Sequence, residues 1–376
     1  MNLTVSAGSG LKTPCGLTEE FSLSEIVLQG SVFGSLKCCV QCDTLGRDCL
    51  SDIEGLGIYK YKGTIDIPPL SLIDDVICVS ECGVKTVEIN ALVNAKFESK
   101  KLRLSDDKSV KIHLSKGKEK RCPIKTMIHE KTMKETDRVR YLGDKLSNLG
   151  GHQLTIESRV AKAIGIKAQI SSLLKSISLG FFHFEIAMIL RESLFLNSIL
   201  LNSETFYYIN KKQMESLESS DISIMQSIFN SQRNTVREAY YLETGKIQIR
   251  YIIAKRRFMF LHHILTRDTS ELINKVYHTQ QLIKTKYDWY DLMQSEKNKY
   301  NIELSDAEIS VMSKNKFKKY VELKVNKVAF ETLMSSDKSK VQNIIQFTKQ
   351  SKDGRFKQQE YLRSTKLSTL EKQTIF

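Results

Sequence analysis

Asp74 and Asp75 stand side by side between two apolar runs, Leu70-Ser71-Leu72-Ile73 and Val76-Ile77-Cys78-Val79. Two β-prone runs flanking acidic residues read as a hairpin with the carboxylates at its turn. Adjacent carboxylates offer hard oxygen donors, which suit a divalent cation such as Mg2+. In two-metal phosphoryl transfer such ions stabilise the attacking and the leaving oxygens. Asp-Asp pairs also sit on ordinary solvated turns, and Asp106-Asp107 reads as one of these. The pair by itself leaves both readings open.

Three further segments surround the pair in order. Gln29-Gly30 precedes it. Asp107-Lys108 follows and leads into Lys108–Lys116, where Val110, Ile112 and Leu114 alternate with Lys111, His113 and Ser115. Strict alternation of this kind predicts a half-buried strand. Arg140-Tyr141-Leu142-Gly143 comes last.

Order and spacing together resemble the palm of reverse transcriptases, most closely those of non-LTR (LINE-like) retrotransposons. The resemblance implies a role for each segment. Leu28-Gln29-Gly30-Ser31-Val32-Phe33-Gly34 looks like the glutamine-glycine motif, so Gln29 and Gly30 would contact the template and the incoming nucleotide. Asp74 and Asp75 look like the metal-binding aspartate box, and both would be catalytic. Lys108 would lie near the departing pyrophosphate. Tyr141, Leu142 and Gly143 would grip the primer end. The implied partners are an RNA template, a DNA primer and a dNTP, with Mg2+ as cofactor. Ile253–Leu265, with Lys255-Arg256-Arg257-Phe258 and His262-His263, resembles the helical segment after the thumb of such elements.

The chain departs from that pattern in two places. Leu72 stands where the family usually has Tyr or Phe, and Ile73 where a small residue is common. The family also uses a third aspartate upstream of the glutamine-glycine motif. No aspartate precedes Gln29 here, and the first in the chain is Asp43. The expectation is the C-terminal part of a retrotransposon reverse transcriptase, without fingers or first aspartate motif and inactive by itself. No cysteine follows Cys122, so the zinc knuckle that often ends such proteins is missing, and no endonuclease motif occurs. The alternative is a non-catalytic, basic nucleic-acid-binding protein derived from such an element.

The elements that must position these residues follow from the pattern around them. The expected fold class is α+β. A partial palm spans 1–149, an all-α helical thumb 150–265, and a basic helical extension with a loose tail 266–376. Val84, Val87, Ala91, Leu92 and Ala95 recur at helical spacing. A further helix is expected from Ser31 to about Leu45, and Glu25–Leu28 reads as a strand. Short strands are expected over 124–148, ending at Tyr141-Leu142-Gly143. After Gly150-Gly151, the row Ile156, Val160, Ala163, Ile164, Ile170, Leu174 and Ile177 marks an amphipathic helix. Others are expected at 182–201, 211–230, 234–242 and 247–265. Pro123 is the last of only four prolines, which leaves the rest of the chain free of helix breakers.

The 376 residues carry 57 Lys and Arg against 43 Asp and Glu, a net charge of +14. Residues 1–100 hold 8 basic and 13 acidic side chains (−5), and residues 101–376 hold 49 and 30 (+19). A basic body favours a polyanionic partner. Lys255, Arg256 and Arg257 are the first candidates for nucleic-acid backbone contacts, with Arg159, Lys162 and Lys167 as a second group. All eight cysteines precede residue 123, and Cys39-x-x-Cys42 has no second pair at zinc-finger spacing. They are expected to be reduced and mostly packed, in an intracellular protein of the cytoplasm or nucleus. The most apolar tract, Leu179–Leu201, contains His183, Glu185, Arg191 and Glu192, too many ionisable groups for a membrane span.

Overall fold

The computed structural model describes residues 60–61, 63–72, 75–99, 102–114, 124–176, 183–232, 234–284, 286–346, 357–364, 366 and 372, and the backbone of four short strands before residue 24. The described part is mostly helical, with small two-stranded sheets. At that coarse level it is α+β. The chain divides into two compact units, one of residues 1–111 and 119–135, the other of 112–118 and 136–376.

The first unit is built from hairpins and one helix. Ala7–Ser9 pairs with Phe21–Leu23, Lys12–Thr13 with Gly16–Leu17, and Lys60–Tyr61 with Ile65–Asp66, all antiparallel. Strand β1 (Leu70–Leu72) pairs antiparallel with β2 (Asp75–Ile77). Helix α1 (Gly83–Ser99) follows and buries Ile89 and Val93 against Leu92, Phe97 and Leu104. Strand β3 (Val110–Lys111) lies parallel to β6 (Lys134–Glu135), and β4 (Met127–Ile128) forms a hairpin with β5 (Lys131–Thr132).

Among the described residues of the strand expected over Lys108–Lys116, only Val110–Lys111 is paired as strand. Of its predicted apolar face Val110 and Ile112 are half-buried, but Leu114 is 68 % exposed and Lys111 turns inward as well. The Lys111 ammonium donates to the Ile124 carbonyl at 2.8 Å and lies 3.5 Å from Glu135. A charge paired in this way can be buried, so the alternation did not decide the face. The two described cysteines, Cys78 and Cys82, are exposed, and the other six lie outside the described residues. Cys78 and Cys82 follow β2 and precede the first turn of α1, at the solvent edge of a small core. The helix expected at Ser31–Leu45 and the strand at Glu25–Leu28 lie outside the described residues.

The second unit begins with hairpin β7 (Arg138–Tyr141) and β8 (Asp144–Ser147), then α2 (Gln153–Ser176). Ile156, Ala163, Ile166, Ile170 and Leu174 of α2 are buried on one face. Helix α3 (His183–Leu190) runs on through a π-helical turn, Arg191–Leu196, into Asn197–Ile199. Helix α4 (Lys211–Phe229) opens on a capping box: Asn210 accepts from the Gln213 amide, and Gln213 accepts from the Asn210 amide. It closes at Asn230 in the left-handed region, φ +50°.

Helix α5 (Arg237–Thr244) stops at Gly245, and α6 (Ile249–Leu265) forms the middle of the unit. Of the residues of α6 only His263 is exposed; the rest are buried or half-buried. Around it pack α4, α7 (Leu272–Ile283), α8 (Trp289–Lys299), α9 (Asp306–Val311) and α10 (Lys314–Met334). Helices α11 (Ser339–Ile345) and α12 (Glu360–Arg363) complete the chain. One hydrophobic core runs from Ile156 to Leu362. The residues expected as thumb and those expected as extension therefore share a single core, and the β7–β8 hairpin belongs to the same unit. Inside it, Arg191 holds Asp221 through two bonds of 2.7 Å, with both side chains almost wholly buried.

Candidate functional site

In the first unit, β1 and β2 are joined by two residues, Ile73 and Asp74. Leu72 stands opposite Asp75 in the register, and Asp75 opens β2 with its side chain exposed. Asp74, Gln29 and Gly30 lie outside the described residues. Lys108 is exposed at the end of a turn over 106–108, closed by the Ser109 amide donating to the Ser105 carbonyl at 3.0 Å. Asp106 and Asp107 face the Lys131 ammonium at 3.0 and 3.4 Å, and that hydrogen bond holds the Asp106 carboxyl below its usual range. This second aspartate pair is thus an ion-paired surface turn.

An exposed carboxylate such as Asp75 is a suitable donor for Mg2+, which is commonly held by one or two carboxylates together with waters and substrate phosphates. Among the described residues no group of three metal-ligating side chains occurs.

In the second unit, β7 and β8 meet at a two-residue turn, with Tyr141 opposite Asp144. Both turn residues have positive φ, Leu142 at +47° and Gly143 at +87°. That geometry matches the twist of a tight hairpin and ordinarily calls for Asn-Gly. Leu142 is instead a branched apolar side chain, 40 % exposed. A Cβ on Gly143 would meet Leu201 Cδ2 at 3.3 Å, so the turn lies close against the segment after α3.

The hairpin is clasped to the helices behind it. Arg159 of α2 donates to Asp144 and to the Leu201 carbonyl, and Asn202 donates to Asp144 at 3.2 Å. Thr155 exchanges hydrogen bonds with the Lys145 backbone at 2.9 and 3.2 Å. Arg159 also lies over the Phe206 ring, and His152 packs against Phe206 and Tyr207. Burial holds the His152 pKa below its ordinary value of 6.5.

The predicted backbone-binding cluster is largely turned inward. Arg257 is only 5 % exposed and donates to Glu296 and to the Phe206 carbonyl. It fastens α6 to α8 and offers no face to a phosphate, which corrects the sequence expectation. Glu296 of α8 and the Phe206 carbonyl after α3 enclose it, since a buried basic side chain must pair within the protein. Arg159 is corrected for the same reason, being buried against Asp144. Lys167 donates to Ser223 at 2.8 Å, and Lys162 is exposed.

Lys255 and Arg256 are half-buried. Lys255 donates to Asn326 Oδ1 at 2.7 Å, and Arg256 donates to the Leu200 carbonyl and to Asn197 Oδ1. Both border a cleft of about 840 Å3 between α6 and the first three turns of α10. Lys314 and Lys318 border it from the other side, with Glu204 and Glu322 as its carboxylates. Met259, Phe260 and Met312 supply apolar lining. Sequence reading passed over Lys314 and Lys318. Their signal was present in the lysine-dense start of α10, Lys314-Asn315-Lys316-Phe317-Lys318-Lys319, but nothing in it pointed to α6.

No helix among the described residues is long and apolar enough to cross a membrane. No family model, no curated protein and no solved structure matches the chain.

Proposed function

We propose that the chain is part of an RNA-directed DNA polymerase of the non-LTR retrotransposon kind, handling an RNA template and a DNA primer. On this reading residues 1–149 are palm, 150–265 thumb and 266–376 a basic extension, and Mg2+-dependent nucleotidyl transfer belongs to a longer parent. The observation that carries it is the Leu142-Gly143 turn. An apolar side chain is held in a strained backbone region at the tip of a hairpin that a buried arginine ties down. Strain kept in this way is a mark of sites where one side chain must be presented. Support comes from Asp75, which opens β2 with its side chain exposed and pairs in register with Leu72. Tyr141, Leu142 and Gly143 would then touch the primer end, and Asp74, Asp75 and Lys108 the reacting phosphates. A non-catalytic nucleic-acid binder is the second reading, favoured by the basic cleft of the helical unit.

The test combines binding and chemistry. The chain should bind an RNA–DNA template–primer duplex at low salt (~50 mM), with affinity falling steeply as salt rises. Leu142→Ala should weaken that binding. Primer extension with dNTPs and Mg2+ should be undetectable, because stabilising the developing phosphate charge needs a complete and correctly placed site. Failure to bind the duplex overturns the reading. Extension abolished by Asp75→Asn would instead show a complete polymerase.

A further inference from the structure

We infer that the cleft between α6 and α10 binds a short stretch of single-stranded polynucleotide, a proposal that rests on the nucleic-acid reading above. Charge comes first. Lys255, Arg256, Lys314 and Lys318 border the cleft against Glu204 and Glu322, so cations are in excess. Lys314 and Lys318 are exposed and form no ion pair with a described residue. Arg256 hydrogen-bonds only uncharged oxygens, which leaves its charge uncancelled by a bonded carboxylate. The two lysines also sit in the first two turns of α10, where the helix dipole adds to their positive potential.

Shape and lining narrow the ligand. A volume of about 840 Å3 falls within the range that encloses a compact organic ligand, ~300–1,000 Å3. That volume is room for a few nucleotides of one strand. Phe260 and Met259 on the α6 side give apolar surface for base faces, which free phosphate cannot use. Basic rims with an aromatic floor are the usual construction of sequence-tolerant single-strand sites.

The experiment is a salt titration of fluorescent oligo(U) and oligo(dT), with an RNA–DNA duplex of equal length and inorganic phosphate as competitors. Lys314→Glu combined with Lys318→Glu should weaken single-strand binding about tenfold or more. It should lower the salt slope by about 1.4, two phosphate contacts at ~0.7 each. Lys327→Glu, three turns further along α10, should change affinity by less than about twofold. Both lysines are exposed, so the fold should persist, and an unchanged circular-dichroism melt checks it. Unaltered single-strand affinity and slope in the double variant overturn the assignment while duplex binding by the parent chain keeps the broader reading. Equal loss of duplex binding overturns the single-strand preference. Displacement of oligo(U) by millimolar phosphate alone assigns the cleft to free anions and also overturns it.

Discussion

Leu142 occupies a backbone region that branched side chains avoid, because Cβ crowds the following carbonyl. Asn keeps the same Cβ but offsets that crowding, because its short polar side chain can hydrogen-bond to the local backbone. Leu142→Asn should therefore raise stability by ~0.5–1 kcal/mol, measured by denaturant melts, while weakening template–primer binding if the leucine touches the primer. Asp221 makes the opposite case. Its removal in Asp221→Ala leaves the Arg191 guanidinium buried without its partner, and also strips the acceptor of the Tyr241 hydroxyl. The expected cost is about 3–5 kcal/mol, read as a lower urea midpoint. At this scale the sequence was legible where neighbours in the chain decide the outcome. Asp75 at a hairpin follows from the apolar runs beside it. Arg257 was not legible, because Glu296, its partner, lies in a different helix.

The elements themselves were read well where periodicity is long and uninterrupted. Helices α2, α4 and α6 fall where spacing of apolar residues puts them, within a few residues. Caps explain the ends: Asn210 with Gln213 starts α4, and Asn210→Ala should cost about 1 kcal/mol, visible as a lower melting temperature with unchanged helix content. Short elements were harder. The run from Val110 alternates like a strand, yet only two residues pair, since the inward lysine finds Glu135 and a carbonyl. A pattern of two states per residue says which side chains differ, and pairing partners elsewhere decide which of them goes inside.

The whole molecule carries a pH signature. His152 and His183 both have pKa values lowered by burial. A lowered folded-state value means the unfolded chain binds protons first, so the contribution to stability is full above pH 6.5 and is lost as pH falls below it. The melting temperature should drop between pH 7.5 and 5.5, and His152→Phe should shrink that drop by removing one of the two groups. The shared core was the least legible feature. Sequence reading drew a border at residue 265, but tertiary contacts ignore it: His262 stacks on Phe317 and its Nε2 donates to the Met312 carbonyl at 2.8 Å.

That central position of α6 has a consequence during synthesis. The helix leaves the ribosome ahead of α8, α9 and α10, which cover much of its surface. At ~5–20 residues per second, α10 follows seconds later. Until then Phe258, Leu261 and the ion-pairing face of Arg257 have no tertiary cover on that side. A pause in translation after α6 should thus leave a chaperone substrate, whereas a pause after α10 should leave a nearly finished fold.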